Sequence, residues 1–195
     1  MLTKQAKILS QKQQMVVLDY LSRTQSPERN QLMFLLSVKA GLRAKEIASL
    51  TWSMVTDANG ALTSSIQLLD AASKGKSGGR VVHMHPKLLL ALGVWHDIHP
   101  SPEPHHRIIV TQRSQRPSPQ VVVNFFHRLY RDLGFEQASS HSGRRTFITN
   151  AARKISSVGG SLRDVQYLAG HASLNTTQRY IEHEVDAMKQ VVRLV

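Results

Sequence analysis

The sequence predicts a mainly α domain with one small antiparallel β-sheet, an α+β fold. Three observations carry this. Apolar residues recur at helical spacing along most of the chain, proline and glycine signals open and close those stretches, and a glycine- and lysine-rich tip at residues 73–79 separates two short β-type runs. With 195 residues, 41% of them hydrophobic, the chain has the material for one core, and residues 1–195 are expected to form a single domain.

Taken in order, residues 1–25 are mostly polar and form an N-terminal arm or a short helix, in which Met15, Val16, Val17, Leu18, Tyr20 and Leu21 supply one buried side. Ser26-Pro27 reads as an N-cap followed by proline at the first helical position. The helix it opens runs through Leu32, Leu35, Leu36 and Val38 and stops at Gly41. A second helix starts almost at once, with Arg43, Ala44, Lys45 and Glu46 in its first turn and Ile47 and Leu50 facing the core, which puts Arg43 at a helix-to-helix corner. Residues 57–60 are a turn; Ile66 and Leu68 on one side of the 73–79 tip and Arg80 to Met84 on the other make a hairpin with Lys74 and Lys76 near its end.

Pro86 begins a helix through Leu88, Leu89, Leu92 and Trp95, and the proline-rich residues 99–107 break it into an exposed loop. Residues 108–110 are a short extended piece. Ser118-Pro119 caps a helix carrying Val122, Val123, Phe126, Leu129 and Tyr130, which Gly134 ends. A helix after His141 holds Phe147, Ile148, Ala151 and Ile155, and a capping box of Ser161 and Asp164 opens another that closes at Gly170. Asn175 or Thr176 caps a short helix carrying Tyr180. In the tail, Val185, Met188, Val192 and Val195 form an apolar stripe that needs a surface to sit on.

Charge narrows the partner. The 25 Lys and Arg against 13 Asp and Glu give a formal net charge of +12, which fits a polyanion, nucleic acid first and an anionic membrane surface second. No apolar run of about 18 residues and no strongly amphipathic basic helix supports the membrane. Without cysteine there is neither a disulfide framework nor a thiolate metal site, and the polar N-terminus lacks the apolar core of a signal peptide, so the cytoplasm, at the nucleoid, is the expected location.

Residues 141–180 concentrate two histidines, an arginine and a tyrosine. Transesterification at a DNA phosphate builds negative charge on the non-bridging oxygens, which planar, permanently charged guanidinium groups answer with paired donors. A tyrosine phenol, with a reference pKa of about 10, is a nucleophile that can also leave again. A cation such as a lysine on a loop can protonate the departing sugar oxygen. The chain supplies Arg43, Lys74, His141, Arg144, His171 and Tyr180 in that order.

In that order the motifs Gly41-Leu42-Arg43-x-x-Glu46-Ile47, the Lys74 hairpin, His141-x-x-Arg144 and Leu168-x-Gly170-His171-x-x-x-x-Thr176-Thr177-x-x-Tyr180 resemble the catalytic domain of the tyrosine recombinases, or phage-type integrases, from about residue 41 to 181. The resemblance implies that fold and a site-specific DNA recombinase. In it Arg43 and Arg144 clamp the scissile phosphate, His141 and His171 hydrogen-bond it and assist proton movement, Lys74 is the general acid, and Tyr180 is the nucleophile. Glu46 sits where the family often has an acidic residue supporting the pocket. The implied product is a 3′-phosphotyrosyl link with a free 5′-hydroxyl, made without ATP, metal or other cofactor. The implied partners are double-stranded DNA and further protomers in a tetrameric synapse, with the tail, residues 183–195, docking in trans. The N-terminal core-binding domain usual in the family is expected to be absent. Gly143 stands where the family commonly has leucine, and Arg145 where it often has histidine.

Each residue also has a plainer reading: Arg43 as a solvated first-turn charge, Lys74 as one of two lysines on an exposed tip, the histidines as helix-flanking groups, Tyr180 as a core aromatic. Their joint order in one basic chain outweighs these, and the resemblance alone selects Lys74 over Lys76. Gly75-Lys76-Ser77 fails as a phosphate-binding loop because Asp70 replaces the required glycine. His96, His99, His105 and His106 lie around a proline-rich loop without fixed geometry, which favours solvated histidines over a metal site. Two further functions remain in view: supercoil relaxation of the type IB topoisomerase kind, which shares this chemistry, and a non-catalytic DNA-binding module that regulates a recombinase.

Overall fold

The computed structural model describes residues 6–69, 79–99 and 103–180. Lys74 and Lys76, the hairpin tip, the centre of the proline-rich loop and the tail from residue 181 onward lie outside these residues. Within them the chain is mainly helical with one two-stranded antiparallel sheet, as the sequence predicts.

Helix α1 (Gln11–Ser22) begins at Ser10, whose side chain accepts from the Gln13 N–H while the Gln13 side chain accepts from the Ser10 N–H. Helix α2 (Pro27–Ala40) is the centre of the fold. It packs against α1, α4 and α6, and every residue from Leu32 to Val38 is buried. A helix enclosed this way carries no polar stripe. Each of the fully buried Leu32, Phe34 and Leu36 contributes roughly 1.5–3 kcal/mol through removal from water. Gly41 ends α2 at φ +64°, and an added Cβ there would press into the Phe147 ring. This sharp stop lets α3 (Ala44–Ser49) start at once, with Arg43 at the corner as its N-cap residue.

Strands β1 (Ser65–Leu68) and β2 (Arg80–His83) pair with Ile66 opposite Val82 and Leu68 opposite Arg80. Helix α4 (Pro86–Ile98) is capped by the His85 side chain, which accepts from the Lys87 N–H. In α5 (Pro119–Asp132) the inward residues Val122, Phe126, Leu129 and Tyr130 follow helical spacing, and the helix packs on α3. Helices α6 (Ser142–Lys154), α7 (Leu162–Ala169) and α8 (Leu174–Gln178) follow in the described residues.

The apolar interior is in two parts. The larger is built on α2 and runs through α1, α3, α4, α5 and the sheet. The smaller consists of Ile148, Val165 and Ala169, with Phe147, Ala151, Ile155, Leu162 and Tyr180 packed around them.

Several expectations need correction. Ser26 and Ser118 are the N-cap residues ahead of Pro27 and Pro119, as the sequence predicts, but they cap through their backbone carbonyls, which accept from the Asn30 and Val121 N–H groups, and not through their side chains. Leu50 is fully buried but lies in extended backbone after α3 ends at Ser49. Residues 108–110 follow an isolated antiparallel bridge between Thr51 and Arg107; Ile108 and Ile109 are buried, and the Ile108 N–H donates to the Leu50 carbonyl. Ser173, not Asn175 or Thr176, is the N-cap residue of α8, where its backbone carbonyl accepts from the Thr176 N–H. Tyr180 consequently lies beyond α8, one residue past its C-cap Arg179, in a turn closed by its own N–H on the Thr177 carbonyl at 3.0 Å.

Candidate active site

The site forms at the seam between the two cores. Arg43 comes from the α2–α3 corner, Arg144 from the first turns of α6, and His171 and Tyr180 from the segments flanking α8. The turn at residues 169–171 gathers them. Gly170 closes α7 at φ +59°, which turns the carbonyls of Ala169 and Gly170 toward the arginines. Arg144 donates through Nη2 to the Ala169 carbonyl (2.5 Å) and through Nη1 to the Gly41 carbonyl (2.6 Å), and Arg43 donates through Nη2 to the Gly170 carbonyl (3.2 Å). A guanidinium has five N–H donors, so these bonds fix both groups while leaving donors for an oxyanion.

The His171 ring stacks on Tyr180, with centroids 5.4 Å apart and planes 25° apart. Its Nδ1 lies 3.0 Å from Thr177 Oγ1, and the Thr149 hydroxyl donates to the Tyr180 carbonyl at 3.2 Å. His141 is exposed at the N-terminus of α6, one helical turn before Arg144. The structure thus brings together Arg43, Arg144, His171 and Tyr180, with His141 at the edge; Lys74 lies outside the described residues.

Glu46 is fully buried and collects the positive side of the site. Its Oε2 accepts from the Arg43 N–H (2.7 Å) and its Oε1 from Arg43 Nη1 (3.0 Å). Arg80 meets both carboxylate oxygens, Nη1 to Oε1 at 2.8 Å and Nη2 to Oε2 at 3.2 Å. Burial by itself pushes the Glu46 carboxyl up, but the hydrogen bonds and charge of Arg80 and Arg43 outweigh it and hold the group below its ordinary value. Burial, then the charge of Arg43, lowers Arg144 to about 10, so it stays protonated at neutral pH. Burial, then Arg144, Arg43 and Arg80, lowers His171 to about 4, which makes it a neutral imidazole at pH 7. When Thr177 donates to Nδ1, the ring proton sits on Nε2 and is available as a hydrogen-bond donor.

Arg80 was not singled out by sequence reasoning. The signal for it was strand alternation: Arg80 and Val82 share the inward face of β2 while Val81 and His83 face out, so a charge stands in an apolar row. Of the histidines near the proline-rich loop, His105 and His106 are exposed, as the sequence predicts, while His96 and His99 are used in packing. His96 meets Trp52 edge-on at 5.1 Å, and His99 packs on Trp95 at 4.1 Å with Nδ1 3.0 Å from the Trp95 carbonyl. Gly143 is explained by a close helix crossing: a Cβ there would overlap Ser37 Oγ and stand 2.9 Å from Ser37 Cβ on α2. Arg145 reaches back to the Ala6 carbonyl at 2.8 Å and ties down the start of the described chain.

Comparison with known proteins agrees with this arrangement. The model of the phage integrase family matches residues 7–186, and the chain belongs to that family. A tyrosine recombinase XerC of Rhizobium meliloti strain 1021 is 32% identical over 154 residues, which are 78% of this chain and 45% of that protein. One from Bifidobacterium longum subsp. infantis is 35% identical over 77 residues, 40% of this chain and 21% of that protein. The matched region is therefore less than half the length of these relatives. Among solved structures, the crystal structure of XerA recombinase superposes with a TM-score of 0.72 at 23% identity, covering 100% of this chain and 65% of that one. The Tn1549 transposon integrase in complex with circular intermediate DNA gives 0.74 at 19% identity, covering 100% and 68%. At these identities the structural likeness is one of fold.

Proposed function

We propose that this chain carries the catalytic site of a site-specific DNA recombinase. The Tyr180 hydroxyl attacks the scissile phosphorus, a P–O bond to Tyr180 forms, and the P–O5′ bond breaks. His141 takes the phenolic proton, and Lys74 gives a proton to the departing 5′-oxygen, leaving a 3′-phosphotyrosyl link and a free 5′-hydroxyl. Attack by a 5′-hydroxyl from another strand reverses the step and rejoins the DNA. Arg43 and Arg144 hold the non-bridging oxygens, and neutral His171 donates from Nε2.

The observation that carries this reading is the turn at residues 169–171, in which the Ala169 and Gly170 carbonyls hold the two arginines while His171 stacks on Tyr180. The net charge of +12 and the DNA complexes known for proteins of this fold support duplex DNA as the partner. Assembly as a tetramer, with residues 183–195 docking on a neighbouring protomer, belongs to the same proposal; deleting the segment from Val185 onward should abolish assembly on DNA. The test of the chemistry uses nicked duplexes tiled across the DNA flanking the gene, in which cleavage releases a short strand and traps the intermediate. A covalent protein–DNA adduct is expected, and it should vanish in Tyr180→Phe. An adduct that survives the substitution would remove Tyr180 as nucleophile.

A further inference from the structure

Arg80 opens strand β2 with its side chain 5% exposed, and three of its N–H donors are committed: two to Glu46 and Nε to the Leu168 carbonyl at 3.1 Å. Stability alone gives little reason for a charge there. It stands beside Val82 on the inward face of the strand, and buried ion pairs are often replaced by apolar side chains at no loss. What distinguishes the position is where its partners lead. Glu46 holds both the backbone N–H and the guanidinium of Arg43. Leu168 is in the last turn of α7, two residues before Gly170, whose carbonyl takes Arg43 Nη2 and which precedes His171. Gly170 also presses directly on Arg80, since a Cβ there would stand 2.7 Å from Nη1. A single buried fork therefore joins the α2–α3 corner, the sheet and the turn at residues 169–171.

We propose that Arg80 is a positioning residue for the reaction: through Glu46 it aims the Arg43 guanidinium at the scissile phosphate, and through the Leu168 carbonyl it fixes the turn that sets His171. Its guanidinium is enclosed by protein and does not itself touch DNA. The inference rests on the recombinase reading above.

The test compares wild type, Arg80→Met and Arg80→Lys on the nicked duplex that yields the adduct. Two versions of that duplex are used, one with the natural phosphate and one with a methylphosphonate at the scissile position. The methyl group replaces a charged non-bridging oxygen, so the neutral linkage has less need of a well-aimed guanidinium. On the natural duplex Arg80→Met should form adduct on the order of 10²-fold more slowly, the scale set by misplacing a reacting group by about 1 Å. DNA affinity should stay within about threefold, because the contact is felt in the transition state. Arg80→Lys, which keeps the charge but not the fork, should fall between. On the neutral duplex most of the lost rate should return. An equal loss on both duplexes, or a wild-type rate in folded Arg80→Met, overturns the inference; if Arg80→Met does not fold, Arg80→Lys decides by the same two comparisons. Absence of adduct from the wild type is a separate result, and it overturns the recombinase reading together with what rests on it.

Discussion

Replacing Glu46 by Gln isolates the charge at the centre of the site. The side chain keeps its length and one acceptor oxygen, but its amide then faces a guanidinium donor, and Arg43, Arg80 and Arg144 lose the carboxylate that lies among them. Both Glu46 and Arg80 are almost wholly buried, at 1% and 5% side-chain exposure, so solvent screens little of the interaction. Removing one partner of such a pair costs about 3–5 kcal/mol. With a urea dependence of about 1–3 kcal/mol per molar, the unfolding midpoint at pH 7 should fall by at least about 1 M.

Acid provides an internal check on this prediction. The folded Glu46 carboxyl lies below its ordinary value of 4.5, so its contribution is fully present above about pH 4.5 and is lost as pH falls through the folded value. Glu46 then resembles Gln, and the deficit of the variant should shrink. A loss below about 1 kcal/mol at pH 7, or one that does not shrink in acid, would refute the view that this carboxylate neutralises the arginine cluster.

Gly143→Ala gains about 1 kcal/mol of helix propensity but forces a methyl to 2.9 Å from Ser37 Cβ, at a cost in the upper part of the overpacking range, about 2–3 kcal/mol, so a net loss of roughly 1–2 kcal/mol is expected in chemical denaturation; an unchanged or raised midpoint would contradict the close crossing. The Tyr130 hydroxyl is buried without a hydrogen-bond partner among the described residues, and burial raises its pKa, so Tyr130→Phe should stabilise by about 1 kcal/mol; a loss would mean the hydroxyl is bonded. His171, surrounded by Arg144, Arg43, Arg80, Thr177 and Tyr180, stays neutral in the fold down to about pH 4. The unfolded chain takes up that proton near 6.5, so stability should decline as pH falls from about 6.5 to about 4, and His171→Gln should flatten the decline when thermal midpoints are compared across that window.

Much of this arrangement is legible in the sequence because it depends on local rules. Pro27, Pro86 and Pro119 sit at the first position of their helices, Gly41 and Gly170 adopt left-handed conformations where they end α2 and α7, and the Ser161–Asp164 box forms with the Asp164 carboxylate on the Ser161 N–H at 2.7 Å. The order of Arg43, Arg144, His171 and Tyr180 also survives folding, because those residues flank such starts and stops.

What escapes is set by contacts between distant segments. The burial of Arg80 depends on Glu46, 34 positions away, and on Leu168, 88 positions away, and no local pattern states that three segments converge there. Gly143 reads as a departure from the family's leucine until α2 is seen lying against it. Ser173, Asn175 and Thr176 compete for the cap of α8, and they differ too little in intrinsic preference for sequence to decide.

In the proposed reaction Tyr180 is the covalent nucleophile of a site whose two arginines are held by the turn at residues 169–171. The most direct measurement is to digest the trapped adduct with protease and nuclease and identify the modified peptide by mass spectrometry. A single peptide with a nucleotide joined through its 3′-phosphate to Tyr180 is expected; a link to any other residue, or through a 5′-phosphate, would rule out Tyr180 as the nucleophile of this reaction.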